Sequence, residues 1–377
     1  MESIQLLKSL ISIDSVFPNE RKLAEHIENV LKELGFTVRR ISVGDNRFNV
    51  VGERGSIGKS IGFYGHLDTV PAYGKWLKSP TTSWEDGDRL YGLGSSDMKA
   101  GVAAILMACN LSTKQRIKVA FGVDEENISE GAFAILNDGF FNDCEGVVVT
   151  ELGESNRESL GSKMITLGRR GHVVYEVHVP GRSAHGAHVP LGINSIDEAS
   201  RFVLKLRDMR LPNDNRFPPA TQFVCKFHSE NTSLSIPDNA VLEIDRHTIP
   251  PETAESVLAD LQNQVIKLYE LGEFREIDGN KITVNIKPRK TPYLDPYGTS
   301  KEHPFVKKLA HAVKSYHKVD PLYTYGASVA DENVFAKSGL PVVTIGAIGG
   351  NEHSANEWVS KKSYLELIDV LKTFLSS

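Results

Sequence analysis

The chain has 377 residues, of which 40% are hydrophobic and 24% are charged, and its formal net charge is -5. This length exceeds what one hydrophobic core usually serves, so two domains are expected, and the composition is that of an ordinary globular protein. The small negative charge, without a long basic run, excludes nucleic acid as an expected partner, and no apolar stretch is long enough to predict a membrane span.

The start of the chain and the cysteines indicate where the protein resides. Residues 1–14 intersperse apolar and charged side chains, which predicts an amphipathic helix and not a signal peptide. The cysteines, Cys109, Cys144 and Cys225, are scattered and odd in number, so no disulfide framework is expected. A reducing, cytoplasmic location is the simplest expectation.

Helical and strand patterns alternate in the first part of the chain. Apolar residues at helical spacing predict helices at 4–11, 21–34 and 99–110. Short apolar runs predict buried strands at 48–51, 61–64, 117–123 and 146–150. This alternation predicts an α/β domain with helices on both faces of its sheet.

The pattern then changes to that of a second domain. Strands are predicted at 173–179, 221–229, 240–247 and 282–286, and helices at 194–210 and 251–271, the second with Pro251 at its start. The order β-α-β-β-α-β is ferredoxin-like and predicts an insertion at 165–290 within a first domain made of 1–164 and 291–377. The α/β pattern resumes afterwards, with helices at 304–316, 331–337 and 363–375 and strands at 322–325 and 342–345.

Two candidate site residues follow the strand predicted at 61–64. His66 and Asp68 are alternate residues, so they share one side of an extended chain, at the strand end where open α/β sheets bind ligands. His66 is a candidate metal ligand, and Asp68 could orient its imidazole, directly or through its place in the turn. A surface histidine beside a turn aspartate is the alternative.

Asp97 lies in a glycine-containing segment, 92–97, just before the helix predicted at 99–110. One interpretation makes Asp97 the N-cap of that helix, a role that Ser95 or Ser96 could also take. The other makes it a carboxylate that bridges two metal ions with its two oxygens.

Further carboxylates end two other predicted strands. Asp124, Glu125 and Glu126 are consecutive, so their mutual repulsion needs a balancing charge. They are either a solvated acidic turn or part of a metal site, with Glu126 as a ligand and Glu125 as the acceptor of a proton from water. Glu151 and Glu154 are both possible ligands, and the strand-end position favours Glu151.

His353, in a Gly-rich loop after the strand predicted at 342–345, could supply a last nitrogen ligand. Five strand ends, helix starts or loops of one predicted sheet would thus carry two imidazoles and three carboxylates, from His66, Asp97, Glu126, Glu151 and His353. This mixture suits two zinc ions bridged by Asp97, with cobalt or manganese as alternatives and a position left open for water.

These motifs resemble those of the co-catalytic zinc aminoacylase/carboxypeptidase family, which includes acetylornithine deacetylase, succinyl-diaminopimelate desuccinylase, glutamate carboxypeptidase and several dipeptidases. The similarity covers almost the whole chain and is carried by residues 65–71, 94–99, 124–126, 181–185, 190–194 and the His353 loop. It implies a zinc-peptidase-like α/β catalytic domain with an inserted ferredoxin-like α+β lid or dimerisation domain.

The resemblance also implies roles for individual residues. One zinc ion would be held by His66, Asp97 and Glu151, and the other by Asp97, Glu126 and His353. Glu125 matches the general base of the family. In the insertion, His185 matches a histidine that family dimers present to the partner's active site, where it would help to polarise the substrate carbonyl. Arg246 matches a position that binds the substrate carboxylate, and Asn194 matches a polar residue near it.

The expected function is hydrolysis of the amide bond of a small N-acyl amino acid by a zinc-activated water, of the acetylornithine deacetylase or succinyl-diaminopimelate desuccinylase type, in a homodimer. A dipeptidase or carboxypeptidase with the same two-metal site is the main alternative. A metal-binding protein without catalysis should lack a ligand or the base, and this chain has candidates for all of them. A serine hydrolase is disfavoured because no Gly-x-Ser-x-Gly motif occurs.

Overall fold

The computed structural model describes residues 2–44, 46–152, 160–230 and 234–377. The chain forms two compact units, of which the first combines Met1–Arg169 with Gly298–Ser377 and the second is Arg170–Tyr297. Among the described residues, no helix combines the length and the apolar character that a membrane crossing requires. All three cysteines are free.

The helices and strands have the following bounds. The α-helices of the described residues are α1 (Ser3–Ser12), α2 (Arg21–Glu33), α3 (Lys99–Cys109), α4 (Glu130–Asp138), α5 (Ser195–Leu206), α6 (Ala254–Glu270), α7 (Pro304–His317), α8 (Asp331–Ala336) and α9 (Lys361–Ser376). The strands are β1 (Thr37–Gly44), β2 (Arg47–Arg54), β3 (Ile57–His66), β4 (Trp84–Asp86), β5 (Arg89–Tyr91), β6 (Gln115–Gly122), β7 (Cys144–Val149), β8 (Met164–Arg169), β9 (Gly171–Pro180), β10 (Thr221–His228), β11 (Asn239–Thr248), β12 (Thr283–Ile286), β13 (Tyr297–Gly298), β14 (Leu322–Gly326), β15 (Val342–Thr344), β16 (Gly349–Gly350) and β17 (Trp358–Ser360).

The first unit is built on a large mixed sheet in which β1, β2, β6, β3, β7, β15 and β8 lie side by side in that order. Its centre is parallel, because β3 pairs in parallel with both β6 and β7, and β7 pairs in parallel with β15. Such strands are covered on both faces, which explains their continuous apolar runs. Their carboxyl ends therefore meet at one edge of the sheet.

Helices cover both faces of this sheet. Neighbouring residues of β3 point to opposite faces, and the Phe63 ring contacts Phe374 of α9, whereas the Tyr64 ring contacts Phe335 of α8. The predicted α/β architecture is confirmed. Helix α3 is buried along almost its whole length and packs against α1 and α9, so the segment that leads into it has a fixed support.

The second unit is a four-stranded antiparallel sheet with two helices. Its strands lie in the order β10-β11-β9-β12, and the chain passes through them as β-α-β-β-α-β, which confirms the predicted ferredoxin-like fold. Alternate residues of β9 and β11 are buried, and these form an apolar core with α5 and α6. The intervening residues lie on the opposite face of the sheet, which is more polar.

Several details differ from the sequence-based predictions. Helix α6 begins at Ala254 and not at Pro251, because Thr253 and Ser256 form a capping box there. Helix α5 ends at Leu206, before the predicted end at Arg210. The second unit begins at Arg170, later than the predicted 165, because β8 pairs with β14 and β15 and so belongs to the sheet of the first unit.

Candidate metal centre

His66 is the last residue of β3 and is almost completely buried. Its Nδ1 lies 3.0 Å from the backbone carbonyl oxygen of Asp68. Because a carbonyl can only accept a hydrogen bond, Nδ1 carries the proton and Nε2 is left as a ligand atom. The acceptor that orients the ring is thus the main chain of Asp68, whose carboxylate lies farther away, at 3.7 Å from Nδ1.

The buried carboxylate of Asp68 connects two parts of the site. Its Oδ2 accepts the backbone N–H of Glu126 at 2.9 Å. Asp68 therefore ties the end of β3, which carries His66, to the acidic turn that follows β6.

Asp97 lies between the two imidazoles of the site. Its Oδ1 is 3.0 Å from Nε2 of His66, and its Oδ2 is 3.3 Å from Nε2 of His353. The alternative role as a helix cap is not observed, since the N-cap of α3 is Met98 and no side chain caps this helix. The Asp97 side chain is available for ligand binding.

The loop that carries Asp97 is held by a residue that the sequence analysis did not single out. The buried carboxylate of Glu357 accepts backbone N–H groups from Gly94, Ser96 and Asp97 at 2.7, 2.7 and 2.9 Å. Burial, together with the charge of Asp97, raises the pKa of Glu357 to about 8. An acidic residue in a loop rich in Gly and Asn gives no sign of this burial in the sequence.

The acidic turn after β6 directs Asp124 to other partners than those of Glu125 and Glu126. Asp124 has a φ of 76°, and its oxygens lie 3.1 Å from Nη2 of Arg47 and 2.9 Å from the backbone nitrogen of Glu130. Arg47 is thus the positive charge that the acidic run requires, and Asp124 has a structural role. Glu126 contributes an oxygen 3.1 Å from Nε2 of His353, and Glu125 has an oxygen within 4.8 Å of the ligand atoms of His66 and Glu126.

Glu151 follows β7, and a buried arginine holds it in place. Arg169 donates from Nη2 to Oε2 of Glu151 at 3.0 Å, from Nε to Glu332 at 3.0 Å, and from Nη1 to the Ser328 hydroxyl at 3.1 Å. Arg169 was also missed in the sequence, where it is one arginine among many. The alternative ligand, Glu154, lies outside the described residues.

The predicted ligands form two groups that share Asp97. One consists of His66, Asp97 and Glu151, and the other of Asp97, Glu126 and His353; within each, the ligand atoms lie within 4.8 Å of one another. Each group offers one imidazole nitrogen and oxygens of two carboxylates, the donors that zinc, cobalt and manganese accept. The residues therefore fit a pair of divalent ions.

The charges of the site also favour bound cations. Burial and the negative charge of Glu151 raise the pKa of Glu125 well above its usual value. Hydrogen bonds to Asp97 and Glu126 raise the pKa of His353 to about 10. The protein thus gathers more carboxylates than its imidazoles can balance, a condition that divalent cations relieve.

Three predicted site residues lie in the second unit. His185 is exposed, and its Nδ1 accepts the backbone N–H of Ala187 at 3.1 Å. Asn194 is the N-cap of α5, where its Oδ1 accepts the N–H of Ile196 at 3.0 Å. Asn194, the first residue of the predicted helix, is thus the cap that precedes α5.

Arg246 is the third of these residues, and it is buried on β11. Its Nη2 donates to Oε1 of Glu252, whereas its Nε and Nη1 are buried and find no hydrogen-bond partner among the described residues. Two donor groups of this guanidinium are therefore available to an acceptor.

Comparisons with known proteins show the family of this chain. The model of peptidase family M20/M25/M40 matches residues 62–377. A succinyl-diaminopimelate desuccinylase of Hydrogenovibrio crunogenus is 25% identical to this chain and covers 99% of it, with 98% of the relative matched.

Among solved structures, aminopeptidase PepT from Bacillus cereus superposes with a TM-score of 0.80 at 17% identity, over 100% of this chain and 98% of that one. A dinuclear metal-binding peptidase of the M20 family from Bacillus subtilis has a TM-score of 0.74 at 15% identity, over 99% of this chain and 96% of that one. The family resemblance seen in the sequence is confirmed: this chain belongs to peptidase family M20/M25/M40 and is a hydrolase of amide or peptide bonds.

Proposed function

We propose that this protein hydrolyses the amide bond of a small N-acyl amino acid with two divalent metal ions, zinc by preference, bound by His66, Asp97, Glu126, Glu151 and His353. One observation carries the proposal. The two oxygens of Asp97 face different imidazoles, at 3.0 Å from Nε2 of His66 and 3.3 Å from Nε2 of His353. A carboxylate in this position can be shared by two ions, each with a further carboxylate of its own.

The proposed mechanism divides the work between the ions and the protein. Divalent ions at such a centre lower the pKa of a coordinated water and polarise a carbonyl oxygen, and this is the chemistry they would supply. Glu125 accepts the proton of the attacking water and delivers it to the leaving amine, a contribution typically worth ~100- to 10,000-fold in rate. Glu125 is suited to this because it lies beside the ligands without belonging to either Asp97-containing group.

The choice of substrate rests on the relatives. The desuccinylase relative acts, by its name, on a succinylated amino acid, which favours an acyl amino acid here. The catalytic role of His185 and the roles of Asn194 and Arg246 in substrate binding remain predictions. For Arg246, the two buried N–H groups without a partner support the binding of a carboxylate, which the planar guanidinium recognises better than a lysine would.

A substrate panel tests the proposal. The zinc-loaded protein is assayed with N-succinyl and N-acetyl amino acids, dipeptides, tripeptides and C-terminal amino-acid release from longer peptides, with and without a chelator. We expect chelator-sensitive release of an amine from an acyl amino acid. Turnover of peptides alone would favour the dipeptidase or carboxypeptidase alternative, and no turnover of any amide would refute the proposed function.

The variant Glu125→Ala tests the proposed role of Glu125 as the general base. We expect kcat to fall by ~100- to 10,000-fold with an unchanged metal content, since Glu125 moves a proton and holds no ion in the proposed centre. Glu145→Ala, at the opposite end of β7 from Glu151, is the matched control and should keep full activity. An active Glu125→Ala enzyme would show that another group is the base.

A further inference from the structure

A second group of metal-ligating side chains lies on the sheet of the second unit and shares no residue with the candidate metal centre. His172 on β9 and His247 on β11 are direct cross-strand partners. Asp245 precedes His247 by two residues, so the three side chains stand on the same face of the sheet. This is the polar face, opposite the core formed with α5 and α6.

The three side chains converge on one point. Nε2 of His172 lies 2.9 Å from Oδ2 of Asp245, and Nδ1 of His247 lies 3.3 Å from Oδ1 of the same carboxylate. The ligand atoms of all three residues lie within 4.8 Å of one another. Two ligand atoms bound ~2.0 Å from a tetrahedral zinc ion stand about 3.3 Å apart, so these separations need little adjustment.

Two atoms of the group stand 3.3 Å apart without completing a hydrogen bond. Oδ1 of Asp245 and Nδ1 of His247 are buried, and neither makes a hydrogen bond within the part of the chain that the structure describes. Buried polar atoms almost always form a hydrogen bond, so an orphaned donor or acceptor indicates a missing partner such as a ligand. Here the two orphaned atoms belong to neighbouring side chains that face each other.

The two histidines are the charge partners of Asp245. In the described structure, the Asp245 carboxylate forms ion pairs with the two histidines and with no lysine or arginine. If both imidazoles were protonated, two positive rings would stand with centroids 4.9 Å apart and repel each other. If both imidazoles were neutral, the charge of the carboxylate would have no positive partner among the described residues.

A divalent cation resolves both difficulties. It lets both imidazoles stay neutral, balances the carboxylate and gives the orphaned atoms a ligand bond. Two histidines and one carboxylate form the ligand set of many zinc sites and leave a coordination position for water or a further ligand.

We propose that His172, Asp245 and His247 bind one divalent transition-metal ion, zinc by preference. The ion ties the beginning of β9 to the end of β11.

Zinc content tests this proposal in the full-length protein. The metal-free wild type and the variants His172→Gln and Asp245→Asn are equilibrated with micromolar zinc, freed of unbound metal by gel filtration and analysed by mass spectrometry of the metal. Each variant should hold one zinc ion per chain fewer than the wild type. Because the result is a difference, it does not depend on how many ions the candidate metal centre holds, and it stays informative if the proposed function is wrong.

The control is His178→Gln, which removes a half-buried histidine from the same face of β9, where it pairs with Glu176. Its zinc content should equal that of the wild type. Circular dichroism establishes that each variant is folded. If His172→Gln does not fold, Asp245→Asn still tests the proposal, because asparagine keeps the shape of the aspartate side chain. Folded variants with the full zinc content would overturn the proposal, as would an equal loss in His178→Gln.

A second measurement needs no variant. Crystals of the wild type grown with zinc should show an anomalous difference peak between His172, Asp245 and His247. Crystals with zinc at the candidate metal centre and no peak at these three residues would overturn the proposal.

Discussion

Three buried groups hold the proposed ligands in place without binding an ion themselves. The backbone of Asp68 orients His66, the carboxylate of Glu357 holds the loop of Asp97, and Arg169 holds Glu151. Groups of this kind fix the rotamer and charge of metal ligands, and their loss typically weakens metal binding by ~10- to 100-fold.

Glu357→Gln tests the positioning role directly. The amide has one acceptor oxygen where the carboxylate has two, so one or more of the N–H groups of Gly94, Ser96 and Asp97 would lose its partner. We expect a destabilisation of about 1–3 kcal/mol, measured by urea unfolding, and metal affinity lower by ~10- to 100-fold. Glu352→Gln, on the same loop, keeps an oxygen that can accept from the Ser96 hydroxyl and should have a much smaller effect. Equal metal affinity in Glu357→Gln and the wild type would contradict the role.

The proposed ligands are easier to predict from the sequence than the buried residues that hold them in place. His66, Glu126 and Glu151 could be proposed as ligands because polar residues at or shortly after the ends of apolar strands lie at the ligand edge of a parallel sheet. Glu357 and Arg169 could not be predicted, because their burial depends on partners far away in the chain. Glu357 bonds to a loop 263 positions before it, at Gly94.

At the level of elements, strong periodicity was a reliable guide and weak periodicity was not. The long helices and most of the buried strands could be predicted because their apolar patterns are clear, whereas β8 is buried throughout and is absent from the prediction. Strand β1 was missed because it is an edge strand with partly exposed side chains on both faces. Helix α4 was missed because it is short, and the small sheet of β4, β5, β16 and β17 because its strands have only two or three residues.

Helix α2 gives a prediction for the pH dependence of stability. Burial lowers the pKa of His26 below its usual value of 6.5, and the buried Nε2 has no partner among the described residues. The unfolded chain therefore binds a proton more readily than the folded one, so His26 should reduce stability as the pH falls below about 6.5. The loss should continue down to the lowered pKa of the folded state.

His26→Gln should lose less stability than the wild type between pH 7.5 and pH 5.5, because it removes this titration. Urea unfolding at both pH values measures the difference, with a chelator present so that metal release does not contribute. His311→Gln, which removes an exposed histidine on α7, is the control. A pH dependence of His26→Gln equal to that of the wild type would contradict the prediction.

At the scale of the whole molecule, the homodimer that the family resemblance implies stays a prediction, and we expect the edge of the second sheet to take part in it. Strand β10 is at the edge of this sheet, and its Phe223 and Phe227 are 53% and 43% exposed. An uncovered edge strand with exposed aromatic side chains is a template for pairing with another chain.

The wild type should therefore have twice the chain mass of 41.6 kDa in light scattering coupled to gel filtration. The double variant Phe223→Lys with Phe227→Lys should shift towards the monomer, because it places two charges at this edge. Leu271→Lys, at the end of α6, replaces a side chain that is 73% exposed and should stay dimeric. If the wild type were a monomer, His185 could not act at the active site of a partner subunit, and its predicted role would be wrong.

The most direct test concerns Asp97, which the proposed centre shares between both ions. Zinc content is compared among the wild type, Asp97→Ala, Glu151→Ala and His353→Ala after equilibration with zinc and gel filtration. We predict that Asp97→Ala loses two ions per chain relative to the wild type, whereas Glu151→Ala and His353→Ala lose one each, with all variants folded by circular dichroism. A folded Asp97→Ala protein that keeps the zinc content of the wild type would contradict the two-metal centre.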